Sequence, residues 1–150
     1  MDSVIGLSGK TELMEGEIMA YWFENQKIGF PRTLIHRITL PFKPFYSGLP
    51  WESQPVETML MLDWYSLGLS DPKQLNHLQL CQAQHPESEA TIYLGNAYNP
   101  CDVLRLDVTE IKPGLFELNG KLLINFEHEM VARNELFEFK TLARWTETQP

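Results

Sequence analysis

Hydrophobic and polar residues alternate most clearly in the second half of the chain. In "VLRLDVTEI" (103–111), Leu104, Leu106 and Val108 fall on one side and Arg105, Asp107 and Thr109 on the other. "LFELNGKLLINFE" (115–127) alternates again through Leu122, Ile124 and Phe126, with Gly120 placed for a bulge or kink. "LFEFKTLARW" (136–145) sets Phe137, Phe139, Thr141, Ala143 and Trp145 against Glu138, Lys140, Leu142 and Arg144. A period of two is the signature of a half-buried strand. "KPG" (112–114) is a turn, and "ATIYL" (90–94) is a β-branched, aromatic strand. Three consecutive strands with short joins predict an antiparallel meander, one face buried and one wet.

The first half is less decided. "TLIHRITLPF" (33–42) reads as a strand. "GEIMAYWFENQ" (16–26) is apolar on both faces and fits a buried strand or the end of a helix. "VETMLMLDWYSLGL" (56–69) is almost continuously apolar and fits a strand pair or a helix. "SDPKQLNHLQL" (70–80) fits a helix opened by Ser70 or Asp71 with Pro72 next, or a turn and a short strand. "KPFYSGLPWESQP" (43–55) and "CQAQHPESE" (81–89) read as loops, and "GNAYNPCD" (95–102) as a turn. The fold expected is a β-rich α+β single domain, residues 1–150, built on an antiparallel sheet with one or two short helices in the first half. A sandwich and a half-barrel both fit the pattern. Residues 1–14 are expected to be flexible.

Composition narrows the function classes. The chain has 12 Lys and Arg against 20 Asp and Glu, a formal net charge of −8. That sign disfavours nucleic acid and anionic membrane surfaces as direct partners and suits a basic protein. Cys81 and Cys101 lack the spacing of a zinc site or a disulfide framework, which points to reduced thiols in a cytoplasmic protein. The first residues have no basic region followed by a long apolar run, so no signal peptide is expected.

Motifs with chemistry are near misses. "GLSGKT" (6–11) ends like a phosphate-binding loop but has Val4 where the first glycine belongs. "HEMVA" (128–132) has His128 and Glu129 but Ala132 in place of a second histidine, so no zinc pair shares a helix face. "GLSG" (6–9) is not a nucleophile elbow, and Cys101, read as lying in an exposed turn, has no identifiable base. No catalytic residue, cofactor or metal site is expected. Glu127 and Glu129 would share a face in a strand, and acids gather along the wet side of the meander: Asp107, Glu110, Glu117, Glu127, Glu129, Glu135 and Glu138. Trp51, in a Pro-rich loop, is the expected apolar anchor.

The stretch "ATIYLGNAYNPCDVLRLDV" with "GLFELNGKLLINFEHE" resembles the closing β-meander of small bacterial immunity proteins of contact-dependent growth inhibition and related polymorphic toxin systems. The resemblance spans roughly residues 90–145 and carries no motif residue to transfer. It implies a small acidic cytoplasmic protein, monomer or homodimer, that neutralises a cognate toxin domain by occlusion. Such a toxin is often a basic nuclease, and the immunity protein has no catalysis of its own. On this reading Glu127, Glu129, Glu135, Glu138, Asp107, Glu117 and Trp51 bind the partner. An alternative is a small-ligand protein or hydrolase with a pocket in a curved sheet lined by Tyr21, Trp22, His36, Trp64 and Tyr65. A structural adaptor subunit is the third reading.

Overall fold

The alternation over residues 103–145 becomes three long strands in the computed structural model, which describes residues 3–146. These are β6 (Ala97–Lys112), β7 (Leu115–Ile124) and β8 (Glu135–Trp145). β7 pairs antiparallel with β6 and with β8, the latter from Leu115–Arg144 to Ile124–Glu135. The faces of β8 follow the sequence pattern: Phe137 and Ala143 are buried, and Glu138, Lys140, Leu142 and Arg144 are exposed.

The first half also forms strands. They are β1 (Gly16–Asn25), β2 (Phe30–Pro41), β3 (Met59–Tyr65), β4 (Leu78–Leu80) and β5 (Glu89–Leu94). The sheet order is β4-β6-β5-β3-β2-β1-β8-β7, and the additional β6–β7 pairing closes it into a seven-stranded barrel with β4 as an extra strand. Closure, rather than a sandwich or half-barrel, removes the sheet edges. An odd number of strands cannot close with antiparallel neighbours alone. Among the described residues the parallel contact falls between β1 and β8, over Gly16–Ala143, Glu17–Arg144 and Ile18–Trp145. β6 is long enough to serve two strands on one side, β5 along residues 97–101 and β4 along 106–108.

Several expectations are corrected. The helical share is small: a single turn α1 (Leu7–Lys10) and a 3₁₀ turn at Gln26–Ile28. Residues 56–69 contain one strand, and 70–80 resolve as turns followed by β4. "GNAYNPCD" is a turn only at Gly95–Asn96, because the rest belongs to β6. The buried Asn99 holds that hairpin, its Nδ2 donating to the carbonyls of Ile92, Leu94 and Ala97. Gly120 marks no bulge. It pairs with Phe139, whose ring fills the place a Cβ would take; the irregularities lie on β6, between Val103 and Arg105 and between Glu110 and Lys112.

The segment expected to be flexible lies against the barrel over its described part, with Ile5 and Leu7 buried. Residues 1–2 lie outside the described residues. The Glu135 carboxylate accepts hydrogen bonds from the Gly6 and Leu7 amides at 3.1 and 2.9 Å. Inside, one apolar cluster fills the barrel, from Ile18, Leu40, Leu60 and Ile92 to Phe116, Leu122 and Phe126. Each such side chain contributes about 1.5–3 kcal/mol by leaving water.

Candidate functional site

The cavity bounded by His36, Tyr65, Leu67, Leu75 and Leu80 measures about 10 Å³, the space of one water. Of the side chains expected to line a pocket, only His36 and Tyr65 meet there. His36 bonds through Nε2 to the Pro72 carbonyl at 2.9 Å, and burial lowers its pKa. Burial raises the Tyr65 phenol to about 12.

Tyr21 and Trp64 sit on the outside, around a β-bulge in β3. Asp63 Oδ1 accepts from Tyr21 Oη at 2.9 Å and from the Trp64 amide at 2.7 Å, while Oδ2 takes Arg37 Nε and Nη2, each at 2.9 Å. Burial first, then the bond to Asp63, raises Tyr21 to about 12. Trp64 has φ 64°, a costly conformation for a bulky residue, and these bonds hold it there. The bulge turns Tyr65, instead of Trp64, back into the core. Trp22 is part-exposed beneath the Arg32 guanidinium, 4.6 Å from its ring centroid.

The wall made by the second half of β6 with β7 and β8 carries much of the expected acidic surface, and three of its acids are paired, while Glu110 near the end of β6 is exposed with no base at ion-pair distance among the described residues. Glu138 meets Lys121 at 3.7 Å, Glu117 meets Lys140 at 3.7 Å, and Asp107 meets Arg105 at 2.7 Å. Register explains this: Lys121 stands opposite Glu138, and Asn119 stands between Asp107 and Lys140. An open groove of about 720 Å³ over this wall is lined by three bases, Arg105, Lys121 and Lys140, and two acids, Asp107 and Glu138, with Asn119 among them. Glu135 lies at the end of β8 and is occupied by the N-terminal segment.

Glu127, Glu129 and Trp51 lie in the loops at one end of the barrel. "HEMVA" is part of an irregular turn, not a helix, with Val131 and Ala132 buried. Glu127 is tied into that turn by reciprocal bonds with Asn134, while Glu129 is exposed. Trp51 is 51% exposed, and its Nε1 donates to the Gly95 carbonyl at 3.2 Å. Glu52 accepts from the Gly95 amide at 2.6 Å and from Ser47 Oγ at 2.8 Å. A Cβ on Gly95 would lie 2.6 Å from Val131 and 3.1 Å from Leu49, so three loops converge on this glycine, whose φ is 67°.

The same β5–β6 turn leads onto a wall that sequence reasoning passed over. Outward residues of β2, β3, β5 and the first half of β6 stand in rows. One row is Thr39–Met61–Thr91–Pro100. The next is Pro41 beside Met59, then Tyr93 beside Tyr98. The Tyr93 and Tyr98 rings lie 4.7 Å apart, and Met59, Tyr93 and Tyr98 are exposed at 42%, 43% and 70%. Neither row contains a charge. Glu17, Glu57, Glu89 and Asp102 border it, all exposed. Among the described residues none of these four has a basic side chain within ion-pair distance. The signal in the sequence is parity: Tyr93 and Tyr98 each follow the outward phase of a strand, but the Gly, Asn and Pro letters of "GNAYNPCD" predict a turn.

Among the described residues, no group of three or more His, Cys, Asp or Glu side chains could hold a metal ion. Cys101 is buried in β6 instead of exposed in a turn, and burial pushes its thiol up to about 12, which removes it as a nucleophile at neutral pH. No helix among the described residues is long and apolar enough to cross a membrane. Comparison with protein-family models, curated proteins and solved structures returned no match for this chain.

Proposed function

We propose that this protein is a binding protein that captures a basic protein domain and, in line with the resemblance of residues 90–145, neutralises a cognate toxin by occlusion. The observation that carries the reading is the distribution of unpaired charge. Asp107, Glu117 and Glu138 on one wall are neutralised by neighbouring bases, while Glu17, Glu57, Glu89 and Asp102 are exposed without an ion pair among the described residues, bordering a wall that exposes Met59, Tyr93 and Tyr98. Unpaired acids attract a basic surface over a distance and speed encounter. Trp and Tyr supply the area that holds it.

The test is co-purification with the C-terminal domain of a large secreted protein encoded beside this chain, together with growth rescue when that domain is expressed. A complex at micromolar concentration or below is expected, weakening as salt rises. Absence of both complex and rescue would sink the reading. Rescue with no complex would show neutralisation without occlusion and overturn the mechanism.

A further inference from the structure

We infer that the outer wall of β2, β3, β5 and the first half of β6 is the docking face for that basic domain, an assignment that rests on the binding role proposed above. Met59, Tyr93 and Tyr98 act as its anchors, and Glu57, Glu89 and Asp102 receive Lys or Arg side chains at its border.

Three observations converge on this wall. First, its two uncharged rows cross four strands, so a partner meets a firm, hydrogen-bonded surface that orders little on binding. Second, Tyr93 and Tyr98 lie against each other, their rings tilted by 59°, yet both are exposed, and exposed tyrosine rings attract guanidinium and ammonium groups. Third, the register sets charge at the border. Glu89 stands opposite Asp63, and one step beyond the Ala90–Cys101 pair it stands beside Asp102. Asp63 is already satisfied by Arg37 and Tyr21, which leaves Glu89 and Asp102 as like charges on neighbouring strands. Like charges so placed repel, and a cation from outside relieves that repulsion.

The same border argues against a second copy of this chain as the occupant. Two such walls face to face would bring Glu17, Glu57, Glu89 and Asp102 from each copy into one rim, where the nearby bases Arg37 and Arg144 are already engaged by Asp63 and Glu15. A basic partner is the complementary occupant.

The experiment measures affinity by titration calorimetry, with the C-terminal toxin domain as the probe. The wild-type chain is compared with Tyr93→Ser/Tyr98→Ser, with Tyr98→Ser alone, and with Glu117→Gln/Glu138→Gln on the paired wall. Thermal melts confirm that each variant folds; Tyr98→Ser, at the most exposed of these positions, is the safeguard should the double variant be unstable. The tyrosine pair is expected to weaken binding about 100-fold or more, and the paired-wall variant by no more than about threefold. A wild-type complex that ignores both tyrosine variants overturns this assignment and leaves the binding role standing. Absence of any wild-type complex overturns both. Sedimentation of the chain alone supplies a further readout: a dimer that Tyr93→Ser/Tyr98→Ser converts to a monomer would make a second copy the occupant and overturn the basic-partner assignment.

Discussion

The wall of β7, β8 and the second half of β6 and the wall of β2, β3, β5 and the first half of β6 are built on the same alternation but dispose of charge in opposite ways. On the first, Arg105, Lys121 and Lys140 interleave with Asp107, Glu117 and Glu138, so cross-strand and same-strand neighbours neutralise one another. On the second, the centre is Met, Tyr, Thr and Pro, and the border carries unpaired acids together with Arg37, whose charge Asp63 takes up. The first resembles an ordinary solvated sheet face, where exposed pairs contribute little stability each. The second holds apolar surface and unpaired charge together, which solvation alone does not require. Counting acids along a strand does not reveal their free charge; the neighbours across the sheet decide it.

Matched charge reversals break the comparison most directly. Glu89→Lys/Asp102→Lys and Glu117→Lys/Glu138→Lys change the net charge equally. The first pair should lower affinity for the basic domain about 100-fold, and the second about tenfold or less through lost steering alone. Equal losses in calorimetry would mean that net charge, and not the wall, governs binding.

At the edge of the docking wall, Arg37→Ala should destabilise the fold by about 2 kcal/mol in urea melts. It strands the part-buried Asp63 carboxylate, but Arg37 is 34% exposed, so water moderates the loss. A change below about 0.5 kcal/mol would show that Tyr21 and the Trp64 amide suffice for Asp63.

Glu135→Ala removes the acceptor for two amides and should cost about 1.5 kcal/mol, with faster hydrogen exchange at Gly6 and Leu7. Unchanged exchange there would assign the docking of this segment to Ile5 and Leu7 alone. The same bonds make reversal of Glu135 a poor probe of binding.

His36 belongs to neither wall and gives a control that reads only the interior. Burial holds its folded pKa below 6.5, so the unfolded chain takes up the proton first. Its contribution to stability is complete above pH 6.5 and is lost as pH falls through 6.5 toward the folded value. His36→Gln should flatten that slope in melts over this range; an unaltered slope would exclude His36 as its source. The smallest effect belongs to the paired wall. Lys140→Ala should change stability by about 0.5 kcal/mol or less and leave affinity unaltered.

Legibility in the sequence follows the same contrast. The three C-terminal strands could be read because most of their outward positions are charged, so Glu138, Lys140 and Arg144 mark the phase against Phe137 and Ala143; in β6 the bulge between Val103 and Arg105 breaks that phase, burying Val103 and exposing Leu104, which the alternation placed with Leu106 and Val108. "VETMLMLDWYSLGL" could not, because Met59 and Met61 face outward and are apolar too. The property that hid this strand is the one that makes its wall a candidate interface. "GNAYNPCD" was obscured by its turn-forming letters, since Asn99 does the work of a turn residue from inside a strand. Trp51 was legible as an exposed aromatic because prolines surround it. Lys121 and Lys140 as partners of Glu138 and Glu117 were not, since each pair joins residues of different strands.

By itself the sequence determined a β-rich chain, the meander of its second half with the faces of its last strand, and an excess of negative charge. All of these follow from local period and composition. Only the tertiary structure decided that the sheet closes, that the parallel β1–β8 contact completes it, and which acids keep a free charge. Closure and charge pairing depend on strands far apart in sequence, such as Ile18 beside Trp145 or Glu89 opposite Asp63. No periodicity within a single strand encodes which strand lies next to it.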